Sequence, residues 1–248
     1  MNRPLTLAFA AATAVSLAAC AYNETLGRSQ FLIVDDGALT QQSEAAWAEA
    51  LRTQPTSRDA ATIARVRNVG ARIVEAAGLT DRSWDYAVFV SDSPNAFVLP
   101  SGKIGVTTGL LSLVRNDDQL AAVLGHEVGH VVARHAAERY SSTAVTGLVL
   151  SGVQSAAGDY AQAAGAIGGL GAQLGVLLPF SRNHELEADR LGVDYLQRAG
   201  YRPSEAIALW RLMAGQRQGS TPEFASTHPS DASRIAALEQ YIESQGWA

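Results

Sequence analysis

The chain has 248 residues, 47% of them hydrophobic and 17% charged, with a formal net charge of −5. This is the balance of a globular protein long enough for one domain plus a small appendage, and its scattered basic residues form no stripe of the kind that binds nucleic acid. A single cysteine, Cys20, excludes an internal disulfide framework, and few aromatics beside abundant Ala and Gly favour close-packed helices over a β-sandwich.

Residues 1–19 read as an export signal, with Arg3 followed by an apolar run from Leu5 to Ala19 that is short for a transmembrane helix. The run ends Leu17-Ala18-Ala19-Cys20, which resembles a bacterial lipobox, where cleavage precedes a Cys that becomes acylated. Cys20 is therefore the expected lipidation site and lipid bilayer anchor. Ala21, rather than Asp, resembles the outer-membrane sorting pattern of Gram-negative lipoproteins. Residues 20–43 lack clear periodicity and are expected to be the lipidated N-terminus and a tether. A single domain is expected over 44–248.

Helical periodicity follows over Glu44–Leu51 and Asp59–Ala77, the second with Ile63, Val66, Val69 and Ile73 as its apolar stripe. Trp84–Val90, Ala96–Leu99 and Ile104–Thr107 read as strands, the last two joined by the turn Pro100-Ser101-Gly102-Lys103, so a small antiparallel sheet is expected. Gly109–Val114 reads as a short helix. Asn116-Asp117-Asp118-Gln119 resembles a capping box and starts a helix predicted to run to about Arg139. In Ser141–Ser181 the only charge is Asp159; this stretch is expected to be packed helices, a mobile lid or a membrane-contacting surface. Helices are predicted over Ser181–Ala199, from Pro203 to about Gln218, and from Asp231 to about Ser244, with a polar loop before the last. The fold class is thus α+β and mainly helical, with a helix packed on a small antiparallel sheet.

The chemistry centres on His126-Glu127-Val128-Gly129-His130. Two imidazoles four residues apart lie on one helix face, about one turn apart, and can converge on a single tetrahedral zinc. Glu127 beside them has the position of a general base acting on water. A catalytic zinc needs a third protein ligand, and the helix from Ser181 offers His184, Glu185, Glu187 and Asp189. Glu185 and Asp189 share a face, whereas Glu187 lies about 200° round from Glu185. Glu185 is therefore the expected third ligand and Asp189 the carboxylate that orients a ligand His through its other nitrogen. Glu187 is expected to be a solvated surface acid and His184 a loop or rim residue. His135, about 180° from His126 on a continuous helix, is excluded from the metal and read as a polar or surface His near the helix end. Arg134 is read as structural. His228 precedes Pro229, which holds it extended, and spacing alone makes it a loop His.

Together, His126-Glu127-x-x-His130, Glu185-x-x-Ala188-Asp189 and His228-Pro229-x-x-x-x-Arg234-Ile235 resemble the HtpX-like and CAAX-prenyl-endopeptidase zinc metallopeptidases, metallopeptidase family forty-eight. Asn95-Ala96-Phe97, Pro100-x-Gly102-x-Ile104 and Gly109-Leu110-Leu111 extend the likeness over about residues 60–240. With the lipobox, the chain is most similar to the periplasmic lipoprotein branch, the LoiP-type proteases. The resemblance implies a gluzincin-like fold, one Zn2+ per chain held by His126, His130 and Glu185, and Glu127 as catalytic acid/base. It further implies Asp189 behind a ligand, His228 as an active-site residue that steadies an oxyanion or occupies the cleft at rest, and Ile104, Gly105 and Val106 as an edge strand for an extended substrate. The function expected is a cell-envelope zinc metalloendopeptidase acting on misfolded or membrane-associated proteins, with unfolded polypeptides and envelope assembly machinery as partners. The alternatives are a zinc-bearing envelope chaperone with little or gated proteolysis and, more weakly, a zinc hydrolase of cell-wall peptide or lipid.

Overall fold

The computed structural model describes residues 20–155, 180–215, 223–229 and 232–247. The expected signal segment 1–19 and residues 156–179, part of the stretch expected as lid, packed helices or membrane-contacting surface, lie outside the described residues. In chain order the elements are β1 (Cys20–Asn23), β2 (Arg28–Phe31), α1 (Asp36–Thr53), α2 (Ala60–Ala76), β3 (Asp85–Phe89), β4 (Ala96–Leu99), β5 (Lys103–Thr107), α3 (Thr108–Leu113), α4 (Asp117–Val132), α5 (His135–Ser155), α6 (Arg182–Arg198), α7 (Ser204–Gly215), α8 (Glu223–Thr227) and α9 (Ala232–Ser244). Among the described residues no helix is long and apolar enough to cross a membrane.

The chain divides into two units, Met1–Asp36 with Ala136–Gly175, and Gly37–His135 with Val176–Ala248. In the first, β1 and β2 pair antiparallel through a turn that holds Gly27 at φ 66°. Arg28 meets Glu138 with two guanidinium nitrogens at 2.8 and 2.9 Å, and Gln30 donates to the same carboxylate at 2.7 Å. The segment expected as a tether thus carries a hairpin and the first turns of α1. Four-residue strands are too short to print an alternation on the sequence.

In the second unit the sheet order is β3-β5-β4. β4 and β5 form the antiparallel hairpin read from the sequence, turning through Gly102 at φ 85°, and β3 joins the other side of β5 in parallel. The sheet is therefore mixed. The expected edge strand at Ile104, Gly105 and Val106 is corrected by this order: β5 is central, paired on both sides and buried throughout, so it has no free row of N–H and C=O groups to offer a peptide.

Each face of the sheet has its own core. Val88, Ala96, Ile104 and Val106 pack with Val66, Val69 and Ile73 of α2 and with Leu120, Val123 and Leu124 of α4. Ala87, Phe89 and Leu99 pack on the other face around Trp47 of α1. Gly105 leaves room there for Phe97, whose ring atoms would lie 2.3 Å from an added Cβ.

α4 and α6 approach with backbone against backbone. A Cβ on Gly125 would meet the Gly192 carbonyl oxygen at 3.0 Å, one on Gly129 the Ala188 oxygen at 2.9 Å, and one on Gly192 the His126 nitrogen at 2.9 Å. Gly125 and Gly129 are four apart and each directly precedes one of the two histidines, so the face that admits α6 lies about 100° from the face carrying His126 and His130. This contact carries Glu185 and Asp189 to the two histidines.

Candidate active site

The Asn116 side chain accepts from the Gln119 amide at 2.9 Å and starts α4, while Gln119 Oε1 accepts from the Arg115 amide at 2.9 Å. Residues 119–130 of α4 are all buried. Burying two imidazoles and a carboxylate there costs free energy unless partners are supplied, and α6, the His228 loop and α9 supply them.

His126 Nε2 and His130 Nε2 lie 3.1 Å apart, and each is 3.4 Å from a Glu185 carboxylate oxygen. Metal–ligand bonds of about 2.0–2.1 Å put neighbouring tetrahedral ligands about 3.3 Å apart. The separations and the two-imidazole, one-carboxylate donor set therefore suit a divalent metal such as zinc. His228 joins them, with Nδ1 3.0 Å from Glu185 Oε1 and 3.2 Å from His126 Nε2; ligand atoms of all four residues lie within 4.8 Å of one another. Glu127 Oε1 is buried and makes no hydrogen bond among the described residues, although His228 Nε2 is 3.2 Å away. It is a buried acceptor beside the His228 ring.

The residues around the cluster fix its geometry. His126 Nδ1 is 2.9 Å from Asp189 Oδ1, the pairing expected from the spacing of α6. Arg234 of α9, fully buried, donates from Nη2 to Asp189 Oδ1 at 2.8 Å, pairs through Nη1 with Glu185, and lies over the Trp210 ring at 4.2 Å. His228 is held by its amide, which donates to the Phe224 carbonyl at 2.9 Å, and by Phe224 stacked on its ring at 4.6 Å.

Charge is distributed accordingly. Burial pulls the His126 imidazolium down, but the Glu185 charge and the Asp189 hydrogen bond outweigh it and lift the ring to about 9. Burial holds His130 well below its ordinary value, against its hydrogen bond to Glu185. Burial would raise the Glu185 carboxyl, yet the facing histidines, His126 foremost, hold it below the carboxylate range. Burial raises Glu127, and the charges of His228 and His126 offset only part of that. A carboxyl raised this way sits closer to neutrality than a solvated one.

The structure thus brings together His126, Glu127, His130, Glu185, Asp189 and His228. Spacing excluded His135 and Glu187 from the metal, and among the described residues neither belongs to the converging cluster; the readings of them as surface residues are corrected. α4 ends at Val132 rather than near Arg139, because Arg134 turns the chain at φ 55° before α5 begins. A continuous helix would hold His135 opposite His126; the break returns it, fully buried, to His130, with the two Nδ1 atoms 2.9 Å apart. Glu187 is not a free surface acid: its Oε2 is 2.9 Å from His135 Nε2. His184 stacks on His135 at 4.3 Å rather than standing on a rim. Arg234 is the residue that spacing gave no reason to select, since nothing local in sequence shows what its guanidinium meets.

The family model described as Peptidase family M48 matches residues 60–242. The mitochondrial metalloendopeptidase OMA1 of Schizosaccharomyces pombe is 39% identical over 180 residues, covering 71% of this chain and 52% of that protein. The mitochondrial metalloendopeptidase OMA1 of Bos taurus is 32% identical over 244 residues, covering 87% of this chain and 45% of its own length. The beta-barrel assembly-enhancing protease of Escherichia coli K12 is 29% identical over 179 residues, covering 69% of this chain and 37% of that protein. The chain spans about half the length, or less, of the curated relatives it matches.

Proposed function

The chain belongs to peptidase family M48, and on that footing we propose that it is a zinc-dependent metalloendopeptidase of the bacterial envelope, cutting unfolded or extended polypeptides. The observation that carries this reading is the convergence of His126 Nε2, His130 Nε2 and Glu185 at 3.1–3.4 Å beside the unbonded Glu127 oxygen.

His126, His130 and Glu185 would hold the metal. When bound, zinc supplies Lewis-acid activation of water and of the scissile carbonyl. Glu127 accepts the proton of the attacking water at its open oxygen and returns it to the leaving amine. His228 donates from Nε2 to the oxyanion. Asp189 keeps the His126 ring turned with Nε2 inward, and Arg234 keeps Asp189 and Glu185 apart and ionised. β5 is closed to substrate. The peptide instead pairs with β4, which packs against α4 and pairs with β5 alone among the named strands.

The envelope location rests on the Leu17-Ala18-Ala19-Cys20 sequence, which supports acylation of Cys20 and anchoring on the periplasmic side of a membrane, the outer one by the residue that follows. The name of the beta-barrel assembly-enhancing relatives supports a role near envelope assembly machinery.

The test is incubation of the purified chain with an unfolded casein-like protein. Cleavage that a chelator stops and Zn2+ restores is the expected result. An intact substrate under all conditions, or cleavage indifferent to chelation, contradicts the assignment.

A further inference from the structure

His126 and His130 are supported in different ways. His126 Nδ1 meets a carboxylate directly, at Asp189. Among the described residues His130 Nδ1 meets not a carboxylate but another imidazole, His135 Nδ1 at 2.9 Å, and His135 Nε2 continues to Glu187 Oε2 at 2.9 Å. His135 is 0% exposed and Glu187 retains 20% of its side-chain exposure, so the chain of contacts runs from the metal site toward the surface. Phe180 stacks on His130 at 3.9 Å and His184 on His135 at 4.3 Å, clamping both rings.

Proton placement along this chain is forced. A His130 that offers the Nε2 lone pair to a metal is neutral and carries its hydrogen on Nδ1. Two Nδ1 atoms 2.9 Å apart share one hydrogen, so His135 accepts at Nδ1 and carries its own hydrogen on Nε2. That hydrogen points at Glu187, whose carboxylate only accepts. Each donor meets an acceptor, and the order reads His130 to His135 to Glu187. The reverse order would put hydrogen on His130 Nε2 and block metal binding.

Resting on the metallopeptidase reading above, we infer that His135 and Glu187 are positioning residues, a two-step relay that fixes the tautomer and orientation of His130 for its metal. Neither touches the substrate. The left-handed turn at Arg134 brings the relay into place, with α4 ending at Val132, two residues after His130.

The test measures Zn2+ affinity of the full-length protein by competition with a chromophoric chelator, together with the visible absorption of the Co2+ form. His135→Leu is expected to weaken Zn2+ binding about 10–100-fold, the range for losing a partner behind a metal ligand, and to alter the Co2+ spectrum. Glu187→Gln is expected to weaken it several-fold. The double variant should bind no more weakly than His135→Leu, because Glu187 acts through His135. A purely structural role predicts a lower melting temperature of the metal-free protein with wild-type Zn2+ affinity and Co2+ spectrum; that result, or additive losses in the double variant, overturns the relay. If His135→Leu does not fold, Glu187→Gln decides, and wild-type affinity and spectrum in that variant overturn the inference. A wild-type chain that takes up no Zn2+ overturns the proposed function and the relay with it, whereas wild-type uptake with unaltered variants overturns the relay alone.

Discussion

Arg234 donates to Asp189 at 2.8 Å, so a guanidinium from α9 closes the wall behind His126. The same group pairs with Glu185, making one cation answer for two buried carboxylates. Burial pulls its own affinity for the proton down, and Asp189, Glu185 and Glu127 together more than offset that. Removing one partner of a buried ion pair leaves the other uncompensated, at about 3–5 kcal/mol. Arg234→Met should lose stability on that scale, read as a shift of the urea midpoint. Arg234→Lys should recover only part of it, since an ammonium lacks the planar fork that serves two carboxylates. A Met variant as stable as the wild type would contradict this role.

The α4–α6 contact makes an opposite pair of effects compete at Gly192. Replacing a helical Gly by Ala gains about 0.8–1 kcal/mol in helix propensity. An added Cβ, however, would stand 2.9 Å from the His126 backbone nitrogen, and overpacking typically costs about 1–3 kcal/mol. Neither side of that contact is a flexible side-chain end, so the clash should win. Gly192→Ala is expected to lower the melting temperature by a few degrees and weaken Zn2+ binding, because the displaced helix carries Glu185. A variant more stable than the wild type would show that the helices separate freely.

Lys103 opens β5 with its ammonium 2.6 Å from Asp85 and 3.2 Å from Glu44. The Asp85 hydrogen bond raises its pKa, against burial, and Glu44 adds to the rise. A folded pKa above the unfolded one gives stability that is complete below the unfolded value and lost as pH rises through the folded one. Both carboxylates are about half exposed, so the effect belongs with surface pairs, at roughly 0.2–1 kcal/mol. Denaturant midpoints of wild type and Lys103→Met should therefore converge as pH climbs past about 10.5. A gap that widens with alkalinity would reverse the sign.

What was legible in the sequence followed from helix geometry acting over a few residues. His126 and His130 share a face, and so do Glu185 and Asp189, and the structure joins the two faces where Gly125, Gly129 and Gly192 allow close approach. The failures have the same root. His135 and Glu187 stay off the converging ligand cluster, as the angles required, but reading His135 as a surface side chain assumed an unbroken helix, which Arg134 ends, and reading Glu187 as a solvated acid missed the buried His135 that it meets in consequence. The central place of β5 depends on which strand joins its second side, which the local turn after β4 does not encode. Arg234 and His228 reach the site from separate segments, so only tertiary packing reveals what they meet.

The central claim is that Glu127 moves the proton at a zinc site formed by His126, His130 and Glu185. Its most direct test compares wild type and Glu127→Gln for zinc content and for cleavage of an unfolded protein under identical conditions. Equal zinc is expected in both proteins, with a loss of cleavage of at least about a hundredfold in the variant, the lower end for removing a general base. Undiminished cleavage by a zinc-loaded Glu127→Gln protein would contradict it.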